Sequence, residues 1–226
     1  MSELKSVSLN ELGARYHLQG KSNEAIDCYQ QSLILDRAAG DLSAQCVTLN
    51  HLGLVYNDLD RWDEALTYHQ QDLSICRKLA DRDGEGAALG NLGLTYYNLG
   101  RLDEAIDCHQ QSLTICQELG DRAGAGASYN NLGMVYCARS NWDEAIYHYQ
   151  QSLESQQALG HEYWAGQTLN DLGKLYQTIG RVDRSISCWQ AALTKLPQDT
   201  KEYSIVLAQL ATARSSLLTS GDATDT

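Results

Sequence analysis

Residues 81–120 read DRDGEGAALGNLGLTYYNLGRLDEAIDCHQQSLTICQELG, and residues 121–160 read DRAGAGASYNNLGMVYCARSNWDEAIYHYQQSLESQQALG. The two stretches align without a gap, and residues 1–40, 41–80 and 161–200 follow the same template. Self-similarity at a fixed period of this length is typical of repeat proteins. The chain therefore consists of five copies of a 40-residue unit, counted from residue 1 to residue 200.

Several columns of this alignment hold the same residue in every copy. The invariant columns begin with Leu12, Gly13, Tyr16 and Leu33, and a further column begins with Ala25 and changes only to Ser185 in the last copy. Agreement in so many columns within one register cannot arise from composition alone. The repeat is therefore a structural unit, and each copy is expected to fold in the same way.

Each unit is predicted to form two helices. In the third copy, Leu89, Leu92 and Tyr96 recur on one face of a helix with about 3.6 residues per turn. Gly100 can end that helix in the left-handed conformation. Asp103 and Glu104 then place acids in the first turn of a second helix, where the helix dipole favours them.

A glycine stands in the middle of the first helix of every unit, as Gly93 does in the third copy. Glycine there costs about 1 kcal/mol relative to alanine. We predict that this glycine allows the two helices of a unit to approach closely, and that it lies opposite the small residue of the column that begins with Ala25.

The order of conserved residues identifies a family. Leu-Gly, a tyrosine three residues later, an alanine nine residues after that, then an aromatic residue or His, a small residue and Leu resembles the tetratricopeptide repeat (TPR). The likeness covers residues 1–200, although the usual unit has about 34 residues. In unit length, the chain looks like Pins-type polarity adaptors and bacterial multi-repeat TPR scaffold proteins. The resemblance implies an all-α, right-handed superhelix in which the first helix of each unit lines the concave side.

Residues 201–217 carry one further helical pattern, which predicts a capping helix over the last repeat. Residues 1–217 are thus expected to form a single solenoid of five helix-turn-helix repeats and this cap. Residues 218–226 are small and polar and are predicted to be disordered.

Charge and composition exclude several classes of partner. The net charge is −12 and Lys and Arg are not clustered, so nucleic-acid binding is not expected. Membrane binding is disfavoured for the same reason, and no apolar run approaches the roughly 18 residues of a spanning helix. The N-terminus is polar and lacks the apolar stretch of a signal peptide. We expect a soluble, cytoplasmic protein.

Seven cysteines are present, but an odd number without a CxxC pair does not indicate a disulfide framework or a zinc knuckle. Cysteines in equivalent positions of stacked repeats lie about 8–10 Å apart, beyond the roughly 7 Å limit for a bridge. Reduced cysteines, no bound metal and no cofactor are therefore expected.

No catalytic residues are predicted, and the chain is not expected to be an enzyme. The sequence has no HExxH metal motif. His69 and His109 occupy the repeat position of Tyr29 and Tyr149, which predicts histidines packed in the core. Pairs such as Asp103 and Glu104 are adjacent and face solvent, so they cannot converge as an acid and a base.

The first helices carry an amide-rich face with an apolar strip. Amides can pair with both the N–H and the C=O groups of a bound peptide backbone. We therefore predict a protein scaffold that binds a peptide of a partner protein through Asn50, His51, Leu54, Asn57, Asn91, Leu94, Tyr97, Asn130, Asn131, Met134, Asn170 and Lys174. Lys174 is the only basic residue in its column, so the basic clamp for C-terminal carboxylates found in TPR co-chaperones is absent.

Three alternatives remain open at this stage. The asparagines could join neighbouring helices and hold one repeat to the next. The chain could be a self-assembly module that forms a homo-oligomer through its solenoid ends or convex faces. It could also be the sensor or docking segment of a larger signalling protein.

Overall fold

The computed structural model describes the backbone of residues 2–221 and the side chains of residues 6–215. Within that range the chain forms eleven helices and no strand, which confirms the predicted all-helical class. Their packing divides the chain into two compact units, Met1–Leu119 and Gly120–Thr226. None of the described helices is both long and apolar enough to cross a membrane.

The first unit contains three helix pairs. Its helices are α1 (Ser2–Leu18), α2 (Ser22–Ala39), α3 (Leu42–Asp58), α4 (Trp62–Leu79), α5 (Arg82–Asn98) and α6 (Leu102–Leu119). The two helices of each repeat pack against each other, and α2 on α3 and α4 on α5 join one repeat to the next. A buried cluster that includes Leu49, Leu52 and Val55 fills the space between the first two repeats.

The second unit contains two helix pairs and a last helix. Its helices are α7 (Arg122–Ala138), α8 (Trp142–Ala158), α9 (Glu162–Thr178), α10 (Val182–Leu193) and α11 (Lys201–Gly221). Helix α11 packs on α10 and buries Val206, Leu210 and Ala213 beside Trp189. It begins where the capping helix was predicted and continues to Gly221, and residues 222–226 of the predicted tail lie outside the described residues.

Short caps begin and end several of the helices, and Gly100 ends its helix as the sequence predicts. Asp81 accepts a hydrogen bond from the backbone N–H of Gly84 at 3.0 Å, and Asp121 caps α7 in the same way through Gly124. Gly100 and Gly120 end the preceding helices with φ of 72° and 69°. These aspartates satisfy backbone donors that a helix leaves unpaired at its N-terminus.

The columns that begin with Leu12 and Ala25 are buried, with one exception. Leu52, Leu92, Leu132 and Leu172 are at most 3% exposed, and every member of the column that begins with Ala25 is fully buried. Leu12 is instead 38% exposed. Leu12 is therefore the least buried member of its column.

The repeated glycine does not lie opposite the alanine column, and that prediction is wrong. A Cβ atom on Gly93 would lie 2.5 Å from Cε1 of His109, and one on Gly53 would lie 2.3 Å from Cε1 of His69. In the remaining copies the ring of Tyr29, Tyr149 or Trp189 occupies the same place. The close approach is therefore between a glycine backbone and the ring of the paired helix, four residues beyond the alanine.

His69 and His109 are core residues, as the sequence predicts. Both side chains are fully buried. Burial disfavours the charged ring and lowers the pKa of each histidine from its usual 6.5 to about 4. Both rings are therefore neutral at physiological pH, and they pack as aromatic groups.

Candidate functional site

Two of the candidate asparagines in the first unit bond to each other. Nδ2 of Asn91 on α5 donates to Oδ1 of Asn50 on α3 at 2.8 Å. Both side chains are half-buried. This bond joins the first helices of two repeats. It uses one polar group of each amide and leaves the other, Oδ1 of Asn91 and Nδ2 of Asn50, for a further hydrogen bond.

Asn57 and His51 make more contacts within the protein. Asn57 exchanges hydrogen bonds with Thr95 Oγ1 at 3.1 and 3.2 Å, and its Nδ2 lies 3.3 Å from Nε2 of His69. The His51 ring packs on Tyr29 with 5.0 Å between ring centroids. Burial, and then the charge of His17, lower the His51 pKa. The candidate apolar residues Leu54, Leu94 and Tyr97 are half-buried along the same helices.

The asparagines at the tenth position of the unit reach the eighth position of the next repeat. Asn10 donates to Thr48 Oγ1 at 2.8 Å, and Asn130 donates to Thr168 Oγ1 at 3.2 Å. The eighth position following Asn50 is Ala88, which offers no side-chain acceptor, and Asn50 bonds Asn91 instead. These bonds therefore join one repeat to the next.

The remaining candidates lie in the second unit. Asn170 keeps a buried Oδ1 without a described partner, and its carbonyl accepts from Trp189 Nε1 at 3.3 Å. Lys174 is exposed and pairs with Asp171 one turn earlier at 2.9 Å. Met134 is half-buried on α7.

A pocket of about 250 Å³ opens between α7 and α9 in this unit. Helix α7 contributes Ala123, Ala127, Asn130 and Asn131, helix α9 contributes Trp164, Gln167 and Thr168, and Gln156 and His161 complete the wall. The Asn131 amide makes no hydrogen bond to any residue that the structure describes. Of the twelve predicted residues, the pocket brings together Asn130 and Asn131.

Trp164 is the residue of this pocket that the sequence reasoning missed. Its side chain is 55% exposed and meets Tyr163 edge to face, with 5.4 Å between ring centroids. An exposed tryptophan beside a pocket is a common anchor for partner side chains. The signal was present in the alignment, because the fourth position holds Ala44, Gly84 and Gly124 in the three preceding copies.

Comparisons with known proteins agree with the repeat assignment. Models of the tetratricopeptide repeat match residues 5–37, 44–118 and 124–198, which together make up more than half of the chain. The comparison with curated proteins gives no match.

Solved structures similar to the chain are helical repeat proteins. BtubC (BKLC) from P. vanneervenii is 20% identical over 96% of this chain and 84% of its own, with a TM-score of 0.64. A putative kinesin light chain TPR-like repeat protein from Podosopora anserina is 20% identical over 85% of this chain and 94% of its own, with a TM-score of 0.71. At these identities the likeness shows the fold alone.

One further neighbour is much longer than this chain. It is a signal transduction ATPase with numerous domains from Pyrococcus horikoshii, which carries a tetratricopeptide repeat sensor. The match has 16% identity and a TM-score of 0.80, and it covers 94% of this chain but only 33% of the other. The helical repeat arrangement therefore also occurs as one part of a multidomain protein.

Proposed function

The chain belongs to the tetratricopeptide-repeat family, and on that premise we propose that it binds a peptide segment of another protein in the pocket between α7 and α9. Repeats of this family mediate protein–protein interaction or scaffolding and are typically not enzymes. The observation that carries the proposal is the unpaired Asn131 amide beside the exposed Trp164.

Asn131 and Trp164 would contact different parts of the bound peptide. The Asn131 amide offers a donor and an acceptor, which match the N–H and C=O of an extended peptide. Trp164 and the small residues Ala123 and Ala127 provide the apolar floor for one side chain of that peptide. Because the chain carries a net charge of −12, a neutral or basic peptide is favoured over an acidic one.

A peptide-display selection on the immobilised protein tests this function. Selected peptides are measured against the wild type and the Trp164→Ala and Asn131→Ala variants by fluorescence polarisation. We expect Trp164→Ala to raise Kd at least about tenfold, because a central aromatic anchor contributes about 2 kcal/mol or more. Asn131→Ala is expected to raise Kd about fivefold, the value of one lost hydrogen bond. Both variants should keep the wild-type melting temperature.

Two control variants sharpen this measurement. Tyr147 on α8 is exposed to a similar extent but does not line the pocket, so Tyr147→Ala should leave Kd unchanged. Asn130→Ala removes the bond to Thr168 and should lower the free energy of unfolding by about 1 kcal/mol, unlike Asn131→Ala. Peptides that bind Trp164→Ala and Asn131→Ala as well as the wild type would contradict the proposed site.

A second candidate function is self-association through the first helix pair. Ile34 on α2 is 66% exposed beside a shallow depression lined by Leu9 and Leu35. If copies associate there, sedimentation velocity will show concentration-dependent dimers that Ile34→Glu abolishes, because a carboxylate cannot be buried unpaired. Val47→Glu, at another exposed apolar residue of this unit, serves as the control. A monomer at every concentration would exclude this candidate.

A further inference from the structure

Three potential metal ligands meet between α3 and α4. The Sγ atoms of Cys46 on α3 and Cys76 on α4 lie 3.7 Å apart. Asp72, one turn before Cys76, places Oδ1 3.5 Å from the Cys76 Sγ. The ligand atoms of all three residues lie within 4.8 Å of one another, and no other such group occurs among the described side chains.

These distances match the edges of a tetrahedral zinc site. Zinc binds thiolate sulfur at about 2.3 Å and carboxylate oxygen at about 2.0 Å, with tetrahedral angles between its ligands. That geometry requires about 3.8 Å between two sulfurs and about 3.5 Å between a sulfur and an oxygen. The two measured separations agree with both values, so two edges of the tetrahedron are already in place.

Asp72 is also an unusual residue to bury. Its side chain is 4% exposed, and its described partners are the neighbouring thiols rather than a lysine or an arginine. A buried carboxylate needs hydrogen bonds, an opposite charge or a metal ion to be stable, and Asp36 of the first copy is held by the hydroxyls of Ser6 and Thr48. A divalent cation at this place supplies that charge, and the half-buried Cys46 provides a path for the ion from solvent.

The other repeats show that packing does not require these residues. The sixth, thirty-second and thirty-sixth positions of the remaining copies hold Ser6, Ser32 and Asp36; Gly86, Ser112 and Cys116; Gly126, Ser152 and Gln156; and Gly166, Ala192 and Leu196. Only the second copy combines two thiols with a carboxylate. The other copies build the same helix pair with at most one thiol or one carboxylate among these three positions.

We propose that Cys46, Cys76 and Asp72 bind one Zn²⁺ ion, with a water molecule in the fourth position. Binding deprotonates both thiols and releases their protons to solvent, without oxidation or reduction. The ion joins α3 to α4 within the second repeat. It therefore stabilises the folded state as any ligand of that state does.

The test uses the full chain without a histidine tag, reduced with a phosphine, freed of metal with a chelator and titrated with Co²⁺ and then Zn²⁺. We expect one Co²⁺ per chain, with thiolate-to-cobalt charge-transfer absorption and the visible bands of tetrahedral cobalt, both displaced by Zn²⁺. Zn²⁺ should also raise the melting temperature. The double variant Cys46→Ser/Cys76→Ser should lose the charge-transfer absorption and the thermal shift.

Two single variants keep the test decisive if the double variant does not fold. Asp72→Ser restores the serine of three other copies, so it should fold, and it should weaken Zn²⁺ binding at least about tenfold. Cys116→Ser removes a thiol at the same repeat position as Cys76 and should bind Co²⁺ like the wild type. Absence of charge-transfer absorption in the wild type, or its loss in Cys116→Ser but not in the Cys46 and Cys76 variant, would overturn the proposal.

Discussion

Gly93→Ala is expected to lower the free energy of unfolding by about 3 kcal/mol, although alanine is the better helix former. The added Cβ would lie 2.5 Å from the ring of His109, far closer than two heavy atoms can approach. Because that ring is fully buried, it has no solvent-facing position to move into. Urea unfolding followed by circular dichroism measures the effect as a lower midpoint.

Gly90→Ala in the same helix is the matched control. A Cβ there would meet only Ser112 Oγ, at an ordinary 3.7 Å, so the variant should gain about 1 kcal/mol from helix propensity. Gly93→Ala should lower the free energy of unfolding by less in the His109→Ala background than in the wild type, because the ring that the Cβ would meet is then missing. Equal effects of Gly90→Ala and Gly93→Ala would show that the contact with the ring does not determine stability.

Acidification from about pH 6.5 towards pH 4 is expected to destabilise the protein through its two buried histidines. The folded state holds the pKa of His69 and His109 at about 4, whereas the unfolded chain titrates near the usual 6.5. Between these values the unfolded state binds more protons than the folded state. The contribution of the two histidines to the free energy of unfolding is therefore fully present above about pH 6.5 and falls as the pH drops. Each histidine contributes up to about 3 kcal/mol to this loss.

The double variant His69→Tyr/His109→Tyr isolates this contribution. Tyrosine already fills the same position at Tyr29 and Tyr149, so the variant should pack and should lose most of the pH dependence. Asp72 acts in the opposite direction, because burial raises its pKa to about 6 and its protonation stabilises the folded state at low pH. It is present in both proteins, so the difference between their urea midpoints, measured with a chelator present, reports the histidines. Parallel pH profiles would contradict the prediction.

Much of the fold follows directly from the repeat. Five invariant or nearly invariant columns predicted paired helices, and Gly100 ends its helix in the left-handed conformation as predicted. The burial of His69 and His109 also followed, because other copies place aromatic residues there. An alignment of repeats reveals which type of side chain a position needs, and core positions need the same type in every copy.

Contacts between different columns could not be predicted in this way. The pattern shows which face of each helix is buried, but not how far the paired helix is shifted along it. For that reason the glycine column was matched to the alanine column rather than to the ring. The contact of Cys46 with Cys76 was missed because cysteines were compared only within equivalent positions.

The candidate site was predicted only in part for a related reason. Helix periodicity assigned the asparagines to one face, but whether an amide is free depends on the residue that the next repeat places beside it. Thr168 engages Asn130, whereas Asn131 has no such neighbour. Trp164 departs from its column, and a search for shared residues does not detect a departure.

The glycine and the ring that covers it belong to the same 40-residue block of the repeat, because Gly93 and His109 are sixteen positions apart, as are Gly53 and His69. Duplicating or deleting one whole block therefore copies or removes both sides of this contact together. A tandem array built in this way can change its length during evolution without a compensating substitution elsewhere, while each copy remains free to exchange tyrosine, histidine and tryptophan as its ring.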